Sequence, residues 1–428
     1  MREQRKRALL PKLRFPEFQD AGEWEVDELG TVAVFVNEKI PVEQVALENY
    51  VSTENILQDF GGVARASKLP IMGAVTRFRH LDTLVSNIRP YLKKVWVADK
   101  EGGASNDVIV IRAKQRLLPQ YFSFLLKNDA FIDYVMTGAK GVKMPRGDIG
   151  SMKAYPACYP TKPEQQKIAD CLTSVDELIT AETQKLDTLK AYKKGLMQQL
   201  FPAEGETLPK LRFPEFQEAR EWEPKQLIDI LSPTIREVAK PSSTYLALGI
   251  RSHGKGTFHK PNQLPERNSM DRLYLVHRDD LIVNITFAWE GAIAIAGDED
   301  HGSYVSHRFP TYSFKLSVSM PTFFRYVITN KAFVYKLGLI SPGGAGRNRV
   351  MNKNDFLKIS VLLPSHSEQQ KIADCLTSID ELITAQTQKL AALKTHKKGL
   401  MQQLFPSVGG VDGEAGRGGR PVVDESQE

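Results

Sequence analysis

Residues 164–202 read EQQKIADCLTSVDELITAETQKLDTLKAYKKGLMQQLFP, and residues 368–406 repeat them with six changes in 39. Apolar residues step by four and three through Ile168, Leu172, Val175, Ile179, Leu186, Leu189, Leu196 and Leu200, the seam of a helix packed on another helix. The second copy carries the same seam as Ile372, Leu376, Ile379, Ile383, Leu390, Leu393, Leu400 and Leu404. Polar residues interrupt both at Glu182/Gln386 and Lys193/Lys397, where they set register. Each stretch is expected as a helix of about 37 residues, about 55 Å long. Pro163 precedes the first helix, Ser365 or Ser367 caps the second, and Phe-Pro ends both. A seam this long needs a partner. Two near-identical helices in one chain satisfy each other most simply when antiparallel, about an internal two-fold axis; ordinary bundle helices are the alternative. Cys171 and Cys375 fall beside the seam as small core residues.

Working outward, residues 11–25, PKLRFPEFQDAGEWE, return at 209–223 as PKLRFPEFQEAREWE, with 13 of 15 identical. The two repeats are offset by 198 and 204 residues, so the halves match in length. Between them the sequences diverge, apart from HLDTLVSNIRP (80–90) against HRDDLIVNITF (277–287). That offset of 197 makes His80 and His277 equivalent, and suggests that the diverged blocks share a fold while differing in surface. The fold class is α+β: two mixed α/β recognition domains separated by two long antiparallel coiled-coil helices, with an internal pseudo-two-fold repeat. The expected segments are an extension (1–10), a first recognition domain (11–163) and a first helix (164–202). A linker (203–208), a second recognition domain (209–367), a second helix (368–406) and a disordered tail (407–428) follow.

The 428 residues, 42% hydrophobic and 25% charged, have an ordinary globular balance. No run approaches about 18 consecutive apolar residues, so no membrane span is expected, and the basic start lacks the apolar core of a secretory signal. Three cysteines, Cys158, Cys171 and Cys375, build no disulfide framework, and no CxxC or HExxH spacing offers a zinc site. A reduced, cytoplasmic, metal-free protein is expected. The net charge of +6 is uneven: residues 26–163 carry +4 and residues 224–367 carry +7, while the repeated helices are near neutral. Two basic blocks on a constant scaffold suit modular recognition of an acidic polymer, although a solvated basic surface reads the same way.

Each block mixes short β-rich runs with a helical aromatic segment, 121–136 and 321–337, read as core. Each closes with a Gly-rich basic loop, TGAKGVKMPRGDIG (137–150) and SPGGAGRNRVMNKNDF (341–356). There Lys140, Lys143, Arg146, Arg347, Asn348, Arg349 and Lys353 are candidates for phosphates or base edges. A second cluster, Arg77, Arg79, Arg89, Tyr91, Lys93 and Lys94, is expected to have Arg251, His253, Lys255 and Lys260 as counterparts. GIRSHGKG (249–256) nearly matches a phosphate-binding loop, but Gly256 replaces the hydroxyl residue that would hold Mg²⁺. No [DN]-P-P-[YF] tetrapeptide of an amino-methyltransferase occurs, so no catalytic residue is assigned.

KLRFPEFQ…EWE before a variable block, then EQQKIADCLTSVDELI opening a long helix, all repeated once, resembles the specificity subunit of a type I restriction–modification enzyme. The resemblance spans about Lys12 to Pro406. It implies two target-recognition domains, each binding one half of a bipartite asymmetric site in double-stranded DNA. It implies helices that set the spacer and dock two modification subunits, and two restriction subunits beyond those. No cofactor is expected on this chain; S-adenosylmethionine, ATP and Mg²⁺ would sit on the partners. A self-sufficient methyltransferase or nuclease, and a coiled-coil scaffold joining two protein-binding heads, are the competing readings.

Overall fold

The computed structural model describes residues 9–343 and 349–406; the extension up to residue 8, residues 344–348 and the tail 407–428 lie outside the described residues. Two compact units divide the chain, Met1–Thr183 with Gln388–Glu428, and Gln184–Thr387. The division falls inside both long helices. Each unit therefore holds the start of one helix and the end of the other.

The first unit contains α1 (Leu29–Val32), α2 (Pro119–Leu126), α3 (Asp129–Thr137), α4 (Ile149–Lys153) and the first part of α5 (Lys162–Leu200). One four-stranded sheet runs Ala33–Phe35, Val108–Ala113, Thr83–Ser86, Val95–Val97, all antiparallel. The other runs Lys39–Pro41, Ala74–Phe78, Gly102–Ala104, Tyr50–Val51, with its last pair parallel. Thr83–Ser86 is buried throughout because side chains alternate between two apolar neighbours. Val85, Val95, Ile109 and Ile111 join the core of α2 and α3, while Leu84, Trp96, Val108 and Val110 join Phe78 and Ala104 of the second sheet.

The second unit contains α6 (Leu227–Ile230), α7 (Pro321–Val327), α8 (Lys331–Leu339), α9 (Lys353–Leu357) and the first part of α10 (His366–Leu404). Its sheets run Leu231–Pro233, Thr311–Phe314, Leu281–Val283, Ile293–Ile295, and Glu237–Ala239, Arg272–Leu275, Tyr304–Val305, Tyr245–Ile250, Thr257–Gln263. The strand order is that of the first unit, with Thr257–Gln263 added as an edge hairpin on Tyr245–Ile250. The diverged blocks thus share a fold.

The shared fold corrects the sequence echo by one residue. Asp82 Oδ2 accepts the Arg79 N–H at 2.8 Å, and Asp280 Oδ2 accepts the His277 N–H at 2.8 Å. Ala98 N donates to Asp82 O, and Ala296 N to Asp280 O. Asp82 and Asp280 are 198 apart, so His80 and His277 are not equivalent; Arg79 holds the place of His277. The residues before these aspartates, Leu81 and Asp279, take φ of 69° and 66° in matching turns. The aromatic segments are helical and lie in the core as expected, each as two short helices. Pro119 and Pro321 open α2 and α7, and the side chains of Asn128 and Asn330 cap α3 and α8 by accepting from Ala130 N and Ala332 N. Phe122, Phe124, Phe131, Phe323, Phe324 and Phe333 are buried in the cores.

The long helices have 39 residues each. α5 starts at Lys162, so Pro163 lies inside its first turn, where its missing N–H costs nothing, and Ser365 Oγ caps α10 by accepting from Glu368 N at 3.4 Å. In the first unit Lys397 reaches Asp176 at 2.6 Å and Lys389 reaches Glu182, so the helix segments run antiparallel. In the second unit Lys193 reaches Asp380 at 2.5 Å. The polar interruptions at Glu182, Lys193 and Lys397 are therefore ion-paired between helices, and Gln386 is buried. Ile168, Leu172, Leu186, Leu200, Ile372, Leu376, Ile379, Leu390 and Leu404 are buried, and Val175, Ile179, Leu189, Leu196, Ile383, Leu393 and Leu400 are half-buried. Cys158 is buried, its thiol pushed up to about 12 by desolvation, and Cys171 and Cys375 are half-buried. Among the described residues no helix is long and apolar enough to cross a membrane, and no cluster of His, Cys, Asp or Glu could hold a metal.

Candidate nucleic-acid interface

The repeated motifs form a latch that holds each head. Arg14 donates from Nε and Nη2 to Glu164 at 2.8 and 2.7 Å, and Arg212 does the same to Glu368 at 2.8 and 2.7 Å. The acids are 1% exposed and the arginines 9% and 8%; in both arginines the hydrogen bond to the carboxylate raises the guanidinium pKa above its ordinary value. Gln165 Oε1 accepts from Leu118 N while its Nε2 donates to Arg116 O and Pro160 O; Gln369 repeats this with Met320 N, Val318 O and Pro364 O. Lys167 pairs with Glu17 and Lys371 with Glu215. The helix ends close the latch. Leu13 N donates to Gln403 O and Phe405 stacks on Tyr121 in the first unit; Leu211 N donates to Gln199 O and Phe201 stacks on Phe323 in the second.

In the first unit two of the expected clusters meet. Arg89 N donates to Pro145 O at 2.8 Å and Gly147 N to Asn87 O at 3.1 Å, so the segment 87–94 lies against the loop 137–150. Arg89 and Lys93 take left-handed φ of 51° and 54° around the turn Pro90–Leu92, which leaves Tyr91 about half exposed. Arg89 and Lys143 are exposed and make no ion pair among the described residues. Lys140 is 85% exposed with Asp148 at 3.7 Å, and Arg146 is held by Asp107 at 3.3 Å. Lys94 donates to Thr53 O at 2.6 Å, and Thr53 and Asp107 both line a cavity of about 390 Å³ beside this surface. Lys93 is turned aside: it pairs with Asp129 at 2.7 Å, a hydrogen bond that raises its pKa. Arg77 and Arg79 are not in this cluster. They lie at the other end of strand Thr83–Ser86, bound to Glu38, and Arg77 also to Glu101.

The second unit uses different geometry. Arg251, His253 and Lys255 form the tip, and Lys260 the returning strand, of the hairpin that the first unit lacks, so they are not counterparts of Arg77–Lys94. GIRSHGKG is this hairpin turn, with His253, Gly254 and Gly256 at φ of 63°, 64° and 79°; no helix follows it, which removes the phosphate-loop reading. The tip is tied to the loop that matches 87–94: His253 N donates to Glu290 O at 2.7 Å and Gly254 N to Gly291 O at 2.9 Å. Arg349 lies 5.2 Å over the Trp289 ring on the same loop, and Arg251 and Lys260 flank Phe258 at 5.2 and 5.3 Å. Lys353 is exposed at the start of α9; Arg347 and Asn348 lie outside the described residues. Arg308, exposed and within 3.4 Å of Thr286 Oγ1, joins this surface without any signal in the sequence.

Two heads of one strand order, held by the same Arg–Glu and Gln contacts, thus carry unlike sets of exposed cations. The chain matches the family described as type I restriction modification DNA specificity domain over residues 76–191 and 220–395, and it belongs to that family. It is a non-catalytic DNA sequence-recognition subunit of a type I restriction–modification system. It is 24% identical over 415 residues to the type I restriction enzyme MjaVIII specificity subunit of Methanocaldococcus jannaschii, covering 92% of this chain and 93% of that protein. The putative MjaX specificity subunit of the same organism is 25% identical over 313 residues, 68% of each chain. The crystal structure of the type I restriction–modification S subunit from M. genitalium shares the fold with a TM-score of 0.60 and 15% identity, over 94% of this chain and all of that one. A chain from a structure of complex assembly in the type I R–M system gives 0.53 and 17%, over 90% and 98%. Membership brings DNA, and assembly with methylase and restriction subunits, into the function.

Proposed function

We propose that each unit reads one half of a bipartite, asymmetric sequence in double-stranded DNA. The first unit uses Arg89, Tyr91, Lys94, Lys140, Lys143 and Arg146; the second uses Arg251, His253, Lys255, Lys260, Arg349 and Lys353, with Arg308 beside them. α5 and α10 set the unread spacer and dock two modification subunits, to which two restriction subunits add. S-adenosylmethionine, ATP and Mg²⁺ belong to those partners, and the assembly works in the cytoplasm. The observation that supports this most directly is one strand order carrying two different cation arrangements, centred on a turn in the first unit and on a hairpin tip in the second. Phosphate contacts from such cations place a protein on the duplex, and base-edge contacts discriminate.

The test is a block exchange. Residues 26–163 are replaced by the corresponding block of another specificity subunit, and methylated adenines are mapped genome-wide in cells that also make the modification subunit. One half of the methylated sequence should change and the other stay. A change in both halves, or in neither, refutes the proposal.

A further inference from the structure

The loop between α3 and α4 carries a feature that contact with phosphates alone does not require. Lys140 and Arg146 exchange two main-chain hydrogen bonds of 2.9 Å, closing residues 141–145 into a short finger. Its base is pinned to Asn87 and Arg89 through Gly147 N and Pro145 O. A Cβ on Gly147 would meet Met152 Cε at 2.4 Å and both Asn87 and Val135 at 2.9 Å, so the approach is as close as a backbone allows. The tip is the reverse of the base. Val142 is 102% exposed and Met144 50%; the exposed Lys140 precedes them and the exposed Lys143 lies between them.

Single exposed apolar residues need no explanation. Two of them on a pinned finger between cations, inside a surface that already offers Arg89 and Arg146, form a particular combination. Proteins that kink DNA push apolar side chains between base steps while neighbouring cations hold the phosphates on either side. Arg146 is drawn back toward Asp107, which leaves the apolar tip leading. Ile71 and Met72, 97% and 77% exposed between Pro70 and Gly73, have no cation adjacent to them in the chain, the nearest being Lys68, and they serve as a comparison pair on a second loop.

We infer that Val142 and Met144 form a wedge that enters one base step of the DNA half-site read by the first unit, with Lys140 and Lys143 on the adjoining phosphates. This rests on the DNA-reading role proposed above. The probe is a duplex bearing the mapped site, with 2-aminopurine moved step by step through that half and end labels reporting the bend by energy transfer, bound by the complex with its modification subunits. Fluorescence should rise at one step away from the methylated adenine, which a methyltransferase itself takes out of the stack and where the probe is therefore not placed. The double variant Val142→Ser, Met144→Ser should lose the rise and the bend, while affinity falls by about tenfold or less because the phosphate contacts remain. Val142→Phe should keep both signals, as should the control Ile71→Ser, Met72→Ser. A rise that survives the double serine variant, or is lost equally in the control, overturns the wedge. Site-specific binding with no unstacked step overturns the wedge alone; absence of site-specific binding overturns the DNA-reading role with it.

Discussion

The latch and the recognition loops of this protein obey opposite rules. In the latch, Arg14–Glu164 and Arg212–Glu368 agree in both distances to within a tenth of an ångström, and the residues that make them are identical. In the loops, Arg308 of the second unit holds the place that Asp107 holds in the first, and the cations arrive on a turn in one unit and on a hairpin tip in the other. The difference is one of environment. A buried bidentate ion pair tolerates no substitution that leaves a charge unpaired, whereas an exposed loop on a rigid sheet can exchange every side chain without unfolding its support.

The comparison breaks first at the latch. Glu164→Ala leaves the Arg14 guanidinium buried without its carboxylate, and should cost about 3–5 kcal/mol of stability. Glu368→Ala should cost the same, read as equal shifts of the denaturant midpoint; unequal losses would show that the two latches are not one device. Between latch and loop lies Gly147. Gly147→Ala should cost about 1–3 kcal/mol through the forced contacts with Met152 and Val135. It should lower methylation at the half-site of the first unit while the second half is still read; loss of both halves would mean that the finger acts on the whole assembly. The smallest effect belongs to the free cations. Lys143→Ala and Lys255→Ala should each change stability by less than about 0.5 kcal/mol. Each should reduce the slope of log affinity against log salt by about 1. An unchanged slope would remove that lysine from the phosphate contacts.

Much of the scaffold was legible in the chain because its signals are local. The four-and-three steps from Ile168 to Leu200 make an apolar stripe on any helix, and the near-identity of 164–202 with 368–406 makes the stripe its own complement. Other parts were not legible. The pairing of His80 with His277 followed five matching letters, and hydrogen bonds around Asp82 and Asp280 moved it by one residue. Arg77 and Arg79 lie close in sequence to Arg89, but strand Thr83–Ser86 carries the chain from one end of the sheet to the other between them. Arg308 gave no sign at all, since an isolated arginine after a strand has no pattern.

By itself the sequence determined that this protein is a duplication, that two long helices match each other, and that two basic blocks differ while their connections do not. Periodicity and repetition run along the chain, and one dimension is enough to state them. The tertiary structure decided which cations share a surface, that the Glu and Gln opening each EQQK form a buried latch, and that the second head carries a hairpin the first lacks. Those outcomes depend on main-chain pairings between residues tens of positions apart, such as Arg89 with Pro145 and His253 with Glu290, and no local pattern encodes the partner at the far end.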